Sequence, residues 1–180
     1  MHIAFNFDEN IEEILETCMK LNIPIITFNF GNDPSKLDAI QDFFLQILQK
    51  PQIHKLRVKI SVIGKWYSLP ERVSEPIKEA IKQTQDYDQF FANFCVMYNG
   101  QEEIIEAAKI LAMQAASGKR DPARITKMDM KENINNFIPP NIIITKEALN
   151  GFLLWDSTES KIITVEKNFG VQELLKILSQ

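Results

Sequence analysis

The feature that most limits what this chain can fold into is a regular alternation. Short runs of apolar, often β-branched residues are separated by longer segments whose apolar residues recur at helical spacing. His2 to Phe7 is the first short run, and Ile11, Ile14, Leu15, Cys18, Met19 and Leu21 then follow the period of an amphipathic helix. Ile23 to Phe30 reads as a second strand. It closes in the turn cluster Gly31-Asn32-Asp33-Pro34, with Asp33 or Ser35 as the cap of a helix reaching Gln49. Val58 to Gly64 predicts a third strand, and Pro70-Glu71 opens a helix to Thr84, because proline suits a first helical turn. Phe90 to Tyr98 is apolar almost throughout, the pattern of a strand covered on both faces. A long helix over Gln101 to Ser117 stops at Gly118. After it come a short helical segment from Arg120 to Ile134, a fifth strand over Asn141 to Ile144, and a helical stretch around Leu149 to Asp156. A sixth strand over Lys161 to Val165 and an amphipathic helix from Gly170 to the end complete the chain. This order predicts an α/β fold, a single domain over residues 1–180 with a six-stranded, mostly parallel sheet flanked by helices. Ligands of such sheets bind beyond the carboxyl ends of the strands. Asp8, Phe30-Gly31, Gly64-Lys65-Trp66, Tyr98-Asn99-Gly100 and Thr145-Lys146 then share one rim.

Composition narrows the function classes. A net charge of −4 over 180 residues gives no general attraction to nucleic acid or anionic lipid, and no nucleic-acid partner is expected. Cys18 and Cys95 lie in apolar periodic segments without a paired spacing, which reads as two buried thiols in a reducing compartment. No apolar run approaches the length of a membrane span, so the expected location is cytoplasmic with at most peripheral membrane contact.

Three islands carry a resemblance: His2-Ile3-Ala4-Phe5-Asn6-Phe7-Asp8-Glu9-Asn10, Met97-Tyr98-Asn99-Gly100-Gln101-Glu102-Glu103-Ile104 and Gly151-Phe152-Leu153-Leu154-Trp155. They resemble the cis-prenyltransferases, the undecaprenyl and dehydrodolichyl diphosphate synthase family, whose corresponding runs read HVAxIMDGNxRWA, NYGGRxEI and SNFLLW. The resemblance implies an undecaprenyl diphosphate synthase-like fold. It also implies a site that joins an allylic diphosphate to isopentenyl diphosphate with Mg²⁺. Carried over by position, Asp8 is the catalytic and Mg²⁺-linked carboxylate, and Asn10, Phe30, Tyr98 and Lys146 are substrate-binding residues. Leu149, Phe152 and Trp155, with the helix after Tyr98, form a subunit interface.

The chain also departs from the family. Glu9 stands where a glycine lets backbone N–H groups approach phosphate, Ile11 follows Asn10 without the family's arginine, and Gln101 replaces another. The family segment carrying its first amphipathic helix is missing after Asn10. Beyond the fifth strand, Lys146 replaces two arginines, and a lysine cannot reproduce two bidentate guanidinium forks. These losses predict a homologue that is weak or inactive alone, serving as subunit or scaffold of a polyprenyl diphosphate synthase, in a homodimer or in a heterodimer with a catalytic subunit. The alternatives are an active, atypical short-chain enzyme using Asp8, Asn10, Lys146 and Mg²⁺, and a module that only carries a lipid. Taken without the family, Asp8 reads first as the cap and dipole partner of the helix after it.

Overall fold

The computed structural model describes residues 1–134 and 138–179. Its core element is one six-stranded sheet, with β1 (His2–Phe5), β2 (Ile25–Gly31), β3 (Val58–Ile63), β4 (Phe90–Val96), β5 (Ile142–Thr145) and β6 (Lys161–Thr164). The spatial order is β3-β4-β2-β1-β5-β6, and every neighbouring pair is parallel. The helices are α1 (Ile11–Lys20), α2 (Leu37–Ile47), α3 (Pro51–Lys55), α4 (Glu71–Thr84), α5 (Gly100–Ala116), α6 (Lys127–Asn133) and α7 (Val171–Leu178). From β1 the chain steps one way to β2, and from β4 it crosses to the opposite side of β1 to lay down β5. That reversal opens a crevice at the carboxyl ends of the central strands.

Period-2 alternation sorts the strand residues between two cores. On one face Phe5, Phe28 and Phe94 sit opposite one another in register on β1, β2 and β4. Phe5 stacks on Phe28 at 5.0 Å and Phe28 on Phe94 at 6.0 Å between centroids. The buried stripes of α1, α2, α4 and α7 close over this row. The other face carries Ala4, Cys95 and Ile143, packed against Phe152 and Leu153.

The second face also buries a polar chain. The ring of His2 makes a 2.7 Å hydrogen bond at Nδ1 to the Ile138 carbonyl and one of 2.8 Å at Nε2 to Thr27 Oγ1, which in turn accepts from Asn93 Nδ2. A carbonyl only accepts, so Nδ1 carries the proton and Nε2 accepts from Thr27. Burial lowers the pKa of this imidazole from its ordinary 6.5. The unfolded chain therefore takes up the proton first as pH falls. The stability that neutral His2 confers is complete above about pH 6.5 and declines as pH falls below it. Melting temperatures recorded between about pH 7.5 and pH 5 are expected to fall less steeply for His2→Gln than for the unaltered chain.

Two sequence-based elements need correction. Leu149 to Asp156 is not helical. Asn150, Gly151 and Leu153 take positive φ angles of 49°, 84° and 45°, which fold the stretch into consecutive turns followed by a 3-10 turn over Asp156–Glu159. The turns bring the Gly151 carbonyl onto the first residue of α5, where Gly100 N–H donates to it at 3.1 Å; a Cβ on Gly100 would lie 2.3 Å from that oxygen. The second correction is α3, which was not foreseen between the helix ending near Gln49 and β3; Pro51 at its start sets a new first turn. The last residue of the predicted C-terminal helix, Gln180, lies outside the described residues.

Candidate active site

A cavity of about 370 Å³ lies at the carboxyl ends of β1, β2, β4 and β5. Its floor is a lattice of carboxamides. Asn29 Nδ2 donates to Asn6 Oδ1 at 2.7 Å, Asn6 Nδ2 donates to Thr145 Oγ1 at 3.1 Å, and Gly31 N–H donates to Asn29 Oδ1 at 3.0 Å. Three strand ends are thereby tied together. Above the floor stand the charged groups. Asp8 receives Lys36 Nζ on both carboxylate oxygens at 2.9 Å. Lys146 Nζ lies 4.6 Å from the centre of the Phe7 ring and 3.1 Å from Glu9 Oε2.

The local sequence explains how Lys36 arrives there. Asp33 Oδ1 accepts from Ser35 N–H at 2.9 Å and so caps the 3-10 turn Pro34–Lys36 that leads into α2. These hydrogen bonds, the backbone one first, lower the Asp33 pKa. The cap expected of Asp33 therefore falls on this turn and not on α2 itself, whose preceding residue is Lys36, and it serves to aim Lys36 at Asp8. Lys36 and the carboxamides Asn6 and Asn29 were not singled out from sequence. The basic residue closing a turn cluster opposite an acidic strand end was the available signal.

Asp8, Tyr98 and Lys146 line the cavity together, and Phe30 contributes one wall. Asn10 does not line it. In a left-handed conformation with φ of 55°, Asn10 takes the position before α1 and its Nδ2 donates to the Phe169 carbonyl at 3.3 Å, so it anchors the segment before α7. This placement also removes the reading of Asp8 as a helix cap, since the residue before α1 is Asn10 and Asp8 is engaged by Lys36. Phe30 is buried against Phe43, Phe44 and Phe94. Tyr98 is buried and its hydroxyl donates to Glu103 Oε2 at 2.6 Å; burial first, and the adjacent carboxylate second, push its pKa well above the usual phenol value. It stays a neutral donor. Lys65 pairs with Glu102 at 2.6 Å beside a separate depression, and Trp66 Nε1 donates to the Val62 carbonyl at 3.1 Å.

A family profile described as "Putative undecaprenyl diphosphate synthase" matches residues 7–180. The chain belongs to this prenyltransferase family. Among its curated relatives is a tritrans,polycis-undecaprenyl-diphosphate synthase (geranylgeranyl-diphosphate specific) of Thermoplasma volcanium, 31% identical over 84% of this chain and 65% of the relative. A protein of the same name from Methanocaldococcus jannaschii is 29% identical over 86% of this chain and 61% of its own length. The chain therefore spans a little under two thirds of these relatives. Its fold is shared with lavandulyl diphosphate synthase from Lavandula x intermedia, solved with dimethylallyl diphosphate, at a TM-score of 0.87, 20% identity and coverage of 99% and 93% of the two chains. A probable undecaprenyl diphosphate synthase of Campylobacter jejuni gives a TM-score of 0.78 at 21% identity, covering 99% and 92%.

Members of this prenyltransferase family are typically Mg²⁺-dependent. Among the described residues no three His, Cys, Asp or Glu side chains gather to enclose a metal ion. Mg²⁺ commonly uses one or two carboxylates, water and substrate phosphate oxygens, and Asp8 in the cavity supplies a donor of that kind. No helix among the described residues is long and apolar enough to cross a membrane. The expected interface residues divide. Phe152 is interior at 1% exposure and meets Tyr98 edge to face, so it is no contact surface. Leu149 packs partly buried beside it, whereas Leu154 is exposed and Trp155 half-buried.

Proposed function

We propose that this chain is an active cis-prenyltransferase that condenses isopentenyl diphosphate with an allylic diphosphate to a short product. The observation that carries the reading is the convergence of Asp8, Lys36 and Lys146 on one cavity at the strand ends. The expectation of an inactive subunit rested on missing arginines. Lys36 supplies a cation from outside the three resembling islands, and the curated relatives are named as synthases. Two lysines are the means by which the cleft would grip two diphosphate head groups, with charge-assisted hydrogen bonds roughly twice as strong as neutral ones. Asp8 would hold Mg²⁺, which when bound offsets the charge of the departing diphosphate. Neutral Tyr98 fixes the far wall, and the carboxamide floor keeps the walls in register.

The reaction breaks the allylic C–O bond, forms a C–C bond to the alkene of isopentenyl diphosphate, and releases pyrophosphate and a proton. A second depression, which shares Asp8 and Phe30 with the first, runs over α1 and α2, and its apolar members Ile11, Ala39 and Phe43 would give the hydrocarbon tail a path beside Glu12 and Glu13. Below Phe30 the rings of Phe43, Phe44 and Phe94 already fill the interior, which supports a short chain. Incubation of the purified protein with geranylgeranyl, farnesyl or dimethylallyl diphosphate, radiolabelled isopentenyl diphosphate and Mg²⁺ is expected to give extractable labelled product. Absence of turnover with all three would refute the reading.

The protein would act as a homodimer across α5. Ile105 and Met113 on this helix are exposed at 52% and 65%, with Ala108 and Ala112 between them, and Leu154 lies beside its first turn. A charge there has to be desolvated on association. Met113→Glu is expected to weaken self-association by about ten-fold or more, read by sedimentation velocity across a concentration series.

A further inference from the structure

The two lysines of the cleft meet the acids of one dipeptide. Asp8 reaches Lys36 on the β2 side, and its neighbour Glu9 reaches Lys146 on the β5 side. The two pairs are built in opposite senses. In the first the acid is the sheltered member, with the Asp8 side chain 17% exposed against 39% for Lys36. In the second the base is sheltered, with Lys146 at 14% against 57% for Glu9. Lys146 is further held over the Phe7 ring, whereas the Glu9 side chain is mostly exposed.

From this asymmetry we infer that diphosphate binding proceeds by two opposite ion-pair exchanges, with Lys36 as an anion-binding residue and Glu9 as a competing gate. At the first pair the sheltered Asp8 stays in place and receives the divalent cation, and the Lys36 ammonium swings from the carboxylate to a phosphate oxygen. At the second pair the sheltered Lys146 stays in place, and the Glu9 carboxylate swings into solvent to be replaced by phosphate. Without ligand the four groups neutralise one another, so the cleft carries no standing excess of positive charge. Metal and anion then each make room for the other, since Asp8 and Lys36 cannot be paired together and also serve both ligands. The inference deepens the reading of this cleft as a diphosphate site and rests on it.

The test separates the two exchanges by the sign of their effects. Calorimetric titration of the intact chain with inorganic pyrophosphate, with and without Mg²⁺, measures the anion, and electron paramagnetic resonance with Mn²⁺ alone measures the cation. Lys36→Met is expected to bind Mn²⁺ about three- to five-fold more tightly, because the competing ammonium is gone, and to bind pyrophosphate more weakly by a similar factor. Glu9→Gln is expected to bind pyrophosphate about three- to five-fold more tightly, because Lys146 is released. A merely structural role would weaken all of these together. Weakened or unchanged Mn²⁺ binding in Lys36→Met, or unchanged or weakened pyrophosphate binding in Glu9→Gln, overturns the exchange while leaving the diphosphate site standing. Failure of the unaltered chain to bind pyrophosphate at all, with or without Mg²⁺, removes the site and the exchange together.

Discussion

Replacing Asp8 with asparagine is expected to lower kcat/KM for prenyl transfer by about 10²- to 10³-fold, the range found when a preorganised charge partner of a transition state is removed. Asparagine is nearly isosteric, and its carbonyl oxygen still accepts from the Lys36 ammonium that sits 2.9 Å from both oxygens of Asp8. The fold has little reason to respond. Asp8 makes one ion pair and lies outside the two buried clusters, so the melting temperature is expected to move by no more than a few degrees. Loss of turnover with retained melting would place the defect in the chemistry. Steady-state assay of Asp8→Asn beside the unaltered protein decides it, and activity within about three-fold of the unaltered chain would exclude the proposed role of this carboxylate.

The largest expected effect on stability is at Phe94. Its ring touches those of Phe28, Phe30, Phe43 and Phe44 at centroid distances of 6.0, 6.2, 5.1 and 5.6 Å, and its side chain is fully buried. Phe94→Ala removes the atoms that join the strand row to α2. The surrounding rings are themselves locked by neighbours and cannot collapse into the space. About 3–5 kcal/mol is expected to be lost, transfer and cavity contributions together. For a chain of this length, that corresponds to a fall in melting temperature of roughly 6–20 °C. Urea or thermal unfolding measures it directly. Phe94→Leu, which keeps most of the volume, is expected to lose less than half as much.

The architecture was legible because hydrophobic period differs between strand and helix and each segment keeps one period throughout. The run from Phe90 to Tyr98, apolar almost throughout, announces a strand covered on both faces, and β4 (Phe90–Val96) does lie between β2 and β3. Leu149 to Asp156 misled because its apolar residues have helical spacing, whereas the left-handed backbone at Asn150, Gly151 and Leu153 is set by the close approach of α5. Spacing carries no trace of that long-range contact. The site was half legible. The strand-end rule placed Asp8, Tyr98 and Lys146 on one cavity, whereas Asn10, carried over from the family resemblance, turns its carboxamide toward Phe169 and lines the second depression instead. Lys36 was passed over because its partner is 28 residues away, and only the parallel pairing of β1 with β2 brings the two together.

The Asn6, Asn29 and Thr145 lattice beneath the cleft has a consequence for how the protein would respond to acidity. Amide and hydroxyl groups neither gain nor lose a proton anywhere in the biological range, so this foundation holds its shape while the carboxylates and ammonium groups above it change partners. Over the range in which the buried His2 stays neutral, a pH profile of catalysis in this protein would then record the ionisation of its reacting groups and not a sagging of the platform on which they stand.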